Sequence, residues 1–245
     1  MKNKLLKKIC GIFGYRLLDK KTFKNNRIIA QNSSLKIKNL LEFYFSRNKI
    51  NNIVQVGAND GLSFDELNYF IKKYKTKSLL VEPILENFEK LKKNYIDNEF
   101  VTFENSAISV NNEISYLYKV DPKYLHKYDN HIPAIPSFNL KHLTDHGVKK
   151  SHTIKDAVNS ISIKELFDKY EIKKLDLFYL DAEGYDGKIV YDFLSKFEIR
   201  PLIIFEYVHI ENVLLEKITV KLTKNKYLYF QIEENLFCLP EEKYL

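Results

Sequence analysis

The sequence predicts an α/β fold: a doubly wound, mostly parallel sheet with helices on both faces. Three observations carry that expectation. Short β-branched apolar runs alternate with segments of helical length and period. The first such run, NNIVQV, ends in the glycine-bearing turn Gly57-Ala58-Asn59-Asp60-Gly61. The second, KSLLV, ends in Glu82, 21 positions after Gly61, where the second strand of such a sheet presents a carboxylate to a ligand.

The elements follow in order. Leu5, Leu6, Ile9, Ile12 and Phe13 recur at helical spacing with Lys4, Lys7 and Lys8 between them, so residues 1–24 read as a short basic amphipathic arm. Such a helix either packs on the domain or attaches loosely to an anionic membrane surface. Lys7 and Lys8 interrupt the apolar stretch that a secretory leader needs. Residues 25–34 read as a connector, and residues 35–245 as the folded domain. Ser34 is placed to cap a helix over 35–47. A helix from about Phe64 to Tyr74, the strand KSLLVEP, a helix through Glu86 and Tyr95, and a third strand, FVTFENSAIS, follow. The rhythm then breaks over about 112–160, an insertion with three prolines in its long polar middle. ISYLYKV and VKKSHTIKDAV are its two strand-like segments. The alternation resumes with a helix capped by Ser160 or Ser162, the strand KKLDLFYLDAEG, a helix over 185–197, the strand RPLIIFEYVHI and a helix over 210–224. KYLYFQIEENLFCL closes as a hairpin turning at Glu233–Asn235, at the sheet edge.

Composition narrows the function classes. A chain of 245 residues that is 45% hydrophobic buries a core, and its 2 cysteines exclude a disulfide scaffold or a Cys-rich zinc module. No apolar stretch of about 18 residues is present, so no membrane-spanning helix is expected. The first 50 residues carry 13 Lys/Arg against 2 Asp/Glu, and the rest carry 26 against 30. The basic character therefore belongs to one end, and a basic nucleic-acid groove is not expected.

Chemistry-bearing residues cluster at strand ends. The turn at 57–61 is G-x-N-x-G, without the third glycine of a dinucleotide fingerprint or the G-K-[S/T] of a P-loop. Glu82 suits the two hydroxyls of an unphosphorylated ribose. Asp181, after LDLFYL, suits a cationic cofactor centre, a metal or a general-base role. Glu183 and Asp186 suit those roles or the stabilisation of a helix start. Glu206 and His209 follow another central strand. Asp181, Glu206 and His209 would meet above the sheet to activate a hydroxyl or hold a divalent metal, although their spacing gives a metal no support. In the insertion, His142 and His146 share a helix face, but no H-E-x-x-H pattern accompanies them, and no metal site is assigned.

With those motifs in place, the chain resembles the FkbM family of S-adenosylmethionine-dependent methyltransferases. The resemblance rests on VGANDG at 56–61, VEP at 81–83, NSAIS at 105–109, IPSFNLKHL at 135–143, LDLFYLDAEGYD at 175–186 and IIFEYVH at 203–209. The family's Ile-Asp-Val-Glu-Gly stands here as Leu180-Asp181-Ala182-Glu183-Gly184. The resemblance implies a class I methyltransferase (Rossmann-like) fold, a seven-stranded sheet with its last strand antiparallel. It implies S-adenosylmethionine as cofactor. Gly57, Asn59, Asp60 and Gly61 would surround its methionine part, Glu82 the ribose, Ser106 and Ala107 the adenine, with Asp181 near the sulfonium. Ser137, Asn139 and His142 are the expected acceptor contacts. The implied reaction is O-methylation of a sugar or other small hydroxylated acceptor, in the cytoplasm or at the inner face of the membrane, with no nucleic-acid partner. An NAD-dependent oxidoreductase and a non-catalytic scaffold are the competing readings of the same sheet.

Overall fold

The computed structural model describes residues 36–47, 49–63, 65–110, 115–129, 132 and 135–244. The basic arm and connector assigned to residues 1–34 lie outside the described residues, as does His131.

Helix α1 (Ile37–Phe45) precedes strand β1 (Asn52–Val56). Then come α2 (Asn68–Tyr74), β2 (Lys77–Val81), α3 (Leu85–Asn94), β3 (Val101–Glu104) and the short β4 (Ala107–Ile108). The insertion holds β5 (Ser115–Val120), α4 (Leu140–Asp145) and β6 (Thr153–Val158). After it run β7 (Ser160–Ile161), α5 (Ile163–Lys169), β8 (Leu177–Leu180), α6 (Asp186–Lys196), β9 (Leu202–Glu206), α7 (Asn212–Lys224), β10 (Tyr227–Ile232), β11 (Asn235–Pro240) and α8 (Glu241–Tyr244).

Seven strands form one sheet in the order β10-β11-β9-β8-β1-β2-β3. The five from β9 to β3 run parallel, and β11 lies antiparallel between β9 and β10. The closing hairpin thus stands at the edge, with its second strand inserted. The parallel strands read as near-continuous apolar runs because both faces are covered. Val54, Phe178, Leu180, Ile203 and Phe205 pack toward α5, α6 and α7. Ile53, Leu80, Leu177, Tyr179 and Ile204 pack toward α1, α2 and α3.

Local chemistry fixes the boundaries. Ser162 and Glu165 form a reciprocal capping box at the start of α5. Two expectations are corrected. The second helix begins at Asn68 rather than Phe64, because Asp65 turns back to accept the Leu67 N–H at 2.8 Å and bends the chain before the helix starts. The third strand breaks after Glu104. Asn105 donates its amide to the carbonyls of Glu82 and Pro83, and Ala107–Ile108 leave the main sheet to pair with β7.

The β4–β7 pair brings the two ends of the insertion side by side. Within it, β5 and β6 form a separate antiparallel pair, and Val120, Ile132, Ile135, Leu143 and Val148 make a small core of their own. Backbone bonds between Tyr118 and Ser137 hold the segment around 135–138 against β5.

Candidate active site

The carboxyl ends of β1, β2 and β8 open into a cleft, as expected at the switch point of a doubly wound sheet. Counting its open mouth, its space is ≈ 1110 Å³. Gly57 starts the turn after β1 with φ +79°, and a side chain there would put Cβ 1.8 Å from the Asp181 carbonyl oxygen. Glycine thus lets the ends of β1 and β8 close on each other. The amides of Gly57 and Ala58 both donate to the Val81 carbonyl. Asn59 takes the left-handed conformation, φ +49°, which aims its N–H at Glu82 Oε2, 2.9 Å away.

Glu82 is buried. Its other oxygen accepts the Ile84 N–H at 2.8 Å. An ionised carboxylate has about four lone-pair sites, so two remain for a ligand with paired hydroxyls. Burial pushes the Glu82 carboxyl up to about 7 against the pull of those two amides, and Asp181 and Asp60 add repulsion.

The cleft wall includes Gly57, Asn59, Glu82, Ser106, Ala107 and Asp181 of the expected site, and leaves out others. Asp60 is not in the wall. Its carboxylate accepts the amides of Leu62 and Ser63 and the Ser63 hydroxyl, so it builds the turn. Gly61 is there for packing: a Cβ would stand 2.5 Å from Leu91 and 2.8 Å from Tyr95. Ser137 is buried with its hydroxyl donated to the Glu183 carbonyl at 2.7 Å. Asn139 caps α4 by accepting the Lys141 amide. Both position the insertion. Asp186 is fully buried and accepts the amides of Ala182 and Gly184, which ties the loop after β8 to the start of α6.

The methyltransferase FkbM domain matches residues 55–229, well over half of the chain. The chain belongs to the FkbM methyltransferase family. Membership implies S-adenosylmethionine as methyl donor. Among solved structures, the chain is similar to methyltransferase FkbM from Methylobacillus flagellatus KT at 15% identity and TM-score 0.46, over 78% of this chain and 44% of that one. It is also similar to a ribosomal protein L11 methylase from Lactobacillus delbrueckii subsp. bulgaricus (12%, TM-score 0.39, 81% and 74%). The METTL16 methyltransferase domain is a third (12%, TM-score 0.44, 82% and 64%). This chain therefore spans less than half of the Methylobacillus protein. No protein of curated function matches it.

This FkbM-family cleft is acidic. Asp65, Glu82, Asp181 and Glu183 are in its wall, and no Lys or Arg is among the described residues that line it. Burial raises all four carboxyls, and repulsion from Asp65 raises Asp181 further. Two acceptors at the cleft, Gln55 Oε1 and Asp65 Oδ2, are buried without a hydrogen-bond partner among the described residues. Gln55 Nε2 donates to the other Asp65 oxygen at 3.2 Å. Buried acceptors left unpaired are costly, and a cationic ligand in the cleft relieves the mutual repulsion of its acids. S-adenosylmethionine carries a sulfonium and an α-ammonium, so the donor set fits it. Gln55 and Asp65 were missed in the sequence. The available signal was one polar residue, Gln55, inside an otherwise apolar strand.

The expected meeting of Asp181, Glu206 and His209 is divided between two groups. Asp181, Glu183 and Glu206 bring carboxylate oxygens within 4.8 Å of one another, and His209 instead joins His142 and His146. Glu206 and His209 lie outside the cleft wall. Burial and the neighbouring acids push Glu206 up to about 8. Glu183 joins the two groups: it lines the cleft and its Oε2 lies 2.9 Å from His142 Nε2. Burial drives His142 down to about 4 and raises Glu183. The two shifts agree that the pair is neutral, so it is a hydrogen bond rather than an ion pair.

Proposed function

We propose that this chain transfers a methyl group from S-adenosylmethionine to a hydroxyl of a sugar or glycoconjugate. The acidic cleft without a basic wall residue carries the proposal, because it favours a cation and opposes the pyrophosphate of NAD or a nucleic-acid backbone. Glu82 takes the ribose hydroxyls. Gly57 and Asn59 flank the methionine part, Gln55 and Asp65 receive its ammonium, and Ser106 and Ala107 border the adenine. Bound S-adenosylmethionine supplies an electrophilic methyl on sulfur. That methyl would pass to the acceptor oxygen, and S-adenosylhomocysteine would leave. Asp181 takes the hydroxyl proton. Its burial-raised carboxyl is a better base than an exposed aspartate.

The sugar reading is supported by an aromatic pair beside the acids. Phe138 lines the cleft, and its ring centroid lies 4.7 Å from that of Tyr185. An aromatic face suits the apolar side of a pyranose, and carboxylates suit its hydroxyls. The test is release of S-adenosylhomocysteine from the methyl donor in the presence of a panel of saccharides. Asp181→Asn should lower kcat by about 10²-fold or more with KM for the acceptor little changed. Transfer only to amine acceptors would refute O-methylation.

The pH dependence has a defined sign. As pH falls through about 7, Glu82 gains a proton and the cleft loses attraction for a cation. Affinity for S-adenosylmethionine should fall about tenfold between pH 8 and pH 6. S-adenosylhomocysteine lacks the sulfonium and should lose less. Calorimetric titrations of both ligands at the two pH values check this, and parallel profiles would argue against charge recognition of the sulfonium.

A further inference from the structure

Three histidine rings meet beside the cleft, and the methyl-transfer reading uses none of them. His142 lies in α4, His146 caps its end, and His209 arrives from the turn after β9. Their ring centroids are 4.5 Å (His142–His209), 4.6 Å (His142–His146) and 5.2 Å (His146–His209) apart. One ring nitrogen from each lies within 4.8 Å of the others. Gly184 sits under them: a side chain there would reach 3.6 Å from both His142 Nδ1 and His209 Cβ.

The partners of these rings set their tautomers. His146 Nδ1 is 2.9 Å from the His142 carbonyl. A carbonyl only accepts, so Nδ1 carries the hydrogen and Nε2 carries the lone pair. His142 Nε2 lies 2.9 Å from the Glu183 carboxyl, so Nδ1 is the nitrogen left to ligate when Nε2–H donates to Glu183. Glu206 Oε1 stands 3.6 Å from His209 Nε2. A carboxyl or a backbone carbonyl on the distal ring nitrogen is the usual outer shell of a metal-bound histidine.

We propose that His142, His146 and His209 form a binding site for a divalent transition ion of the zinc class. Three imidazoles select zinc, copper or nickel over magnesium or calcium. Zinc–nitrogen bonds of about 2.1 Å place tetrahedral ligand atoms roughly 3.4 Å apart, so the rings draw together to bind. His209, on an exposed turn and 30% accessible at its side chain, can supply that movement. A three-histidine set leaves a fourth position open.

The test uses the whole chain, stripped with chelator and titrated with Zn²⁺ by calorimetry at pH 7.5, then with Co²⁺ by absorbance. The expected result is one Zn²⁺ per chain with Kd below about 1 μM, and intense Co²⁺ bands of a four-coordinate site. His209→Ala and His146→Ala, both away from the buried core, should each weaken Zn²⁺ binding about 100-fold or more. Their circular dichroism reports that they fold. No stoichiometric Zn²⁺ binding would overturn the site. So would binding that survives both histidine variants but is lost in Glu206→Gln, which would assign the ion to the carboxylates. Titration of the same samples with S-adenosylhomocysteine reports on the donor cleft separately, so failure of the metal site and failure of the cofactor reading are distinguishable.

Discussion

Replacing Glu82 by alanine should weaken S-adenosylmethionine binding by roughly 100-fold. The carboxylate has two lone-pair sites beyond those taken by the Asn59 and Ile84 amides. Two charge-assisted hydrogen bonds to ribose hydroxyls at about 1.5 kcal/mol each come to about 3 kcal/mol, and every 1.4 kcal/mol is about tenfold. The change also leaves two backbone donors unpaired in a buried turn, so the variant should lose about 1–3 kcal/mol of stability as well. Glu82→Gln separates the two effects. Its amide oxygen can still receive one backbone N–H, so stability should recover more than affinity. Calorimetry gives the affinities and urea melts the stabilities. Unchanged affinity in Glu82→Ala would remove Glu82 from the cofactor site.

Gly57→Ala should be the most damaging glycine-to-alanine change among the described residues. The added carbon would lie 1.8 Å from the Asp181 carbonyl oxygen and 2.8 Å from its carbon. Both are backbone atoms of a central strand end and have nowhere to go. The left-handed φ of +79° adds about 1 kcal/mol of strain. The total should exceed about 4 kcal/mol, or no folded protein should be recovered. Gly147→Ala is the internal control. Its φ is +83°, yet nothing lies within 4 Å of its Cβ position. It should cost only the backbone strain, about 1 kcal/mol. Equal urea midpoints for the two variants would mean that the strand ends do not close on Gly57.

The contrast between these glycines shows what the sequence could and could not carry. The alternation of apolar runs and helical segments is a local signal, and it located the sheet and the edge hairpin and narrowed the α5 cap to Ser160 or Ser162. Gly57, Glu82 and Asp181 were legible because strand ends in a doubly wound sheet have a known use. Gly61 and Asp60, in the same turn, were assigned to the cofactor through the family resemblance. Their work is against Leu91, Tyr95 and Ser63, and only tertiary contacts decide such a matter. Ser137 and Asn139 illustrate the same ambiguity, since a hydroxyl or amide in a loop serves equally as a substrate contact or as a partner for the backbone of a turn or cap. His209 was separated from His142 and His146 by more than 60 residues, and only the packing of the insertion over the β8 loop brings the three together. Asp65 carries no motif at all. Its place beside Gln55 follows from the turn that shortens α2.

The central claim is that an acidic cleft at the ends of β1, β2 and β8 holds a cationic adenosyl cofactor. Calorimetric titration of the purified chain at pH 8 with S-adenosylmethionine and with NAD tests it most directly. The account predicts saturable one-to-one binding of S-adenosylmethionine with no measurable heat from NAD. Binding of NAD in preference to S-adenosylmethionine would contradict it.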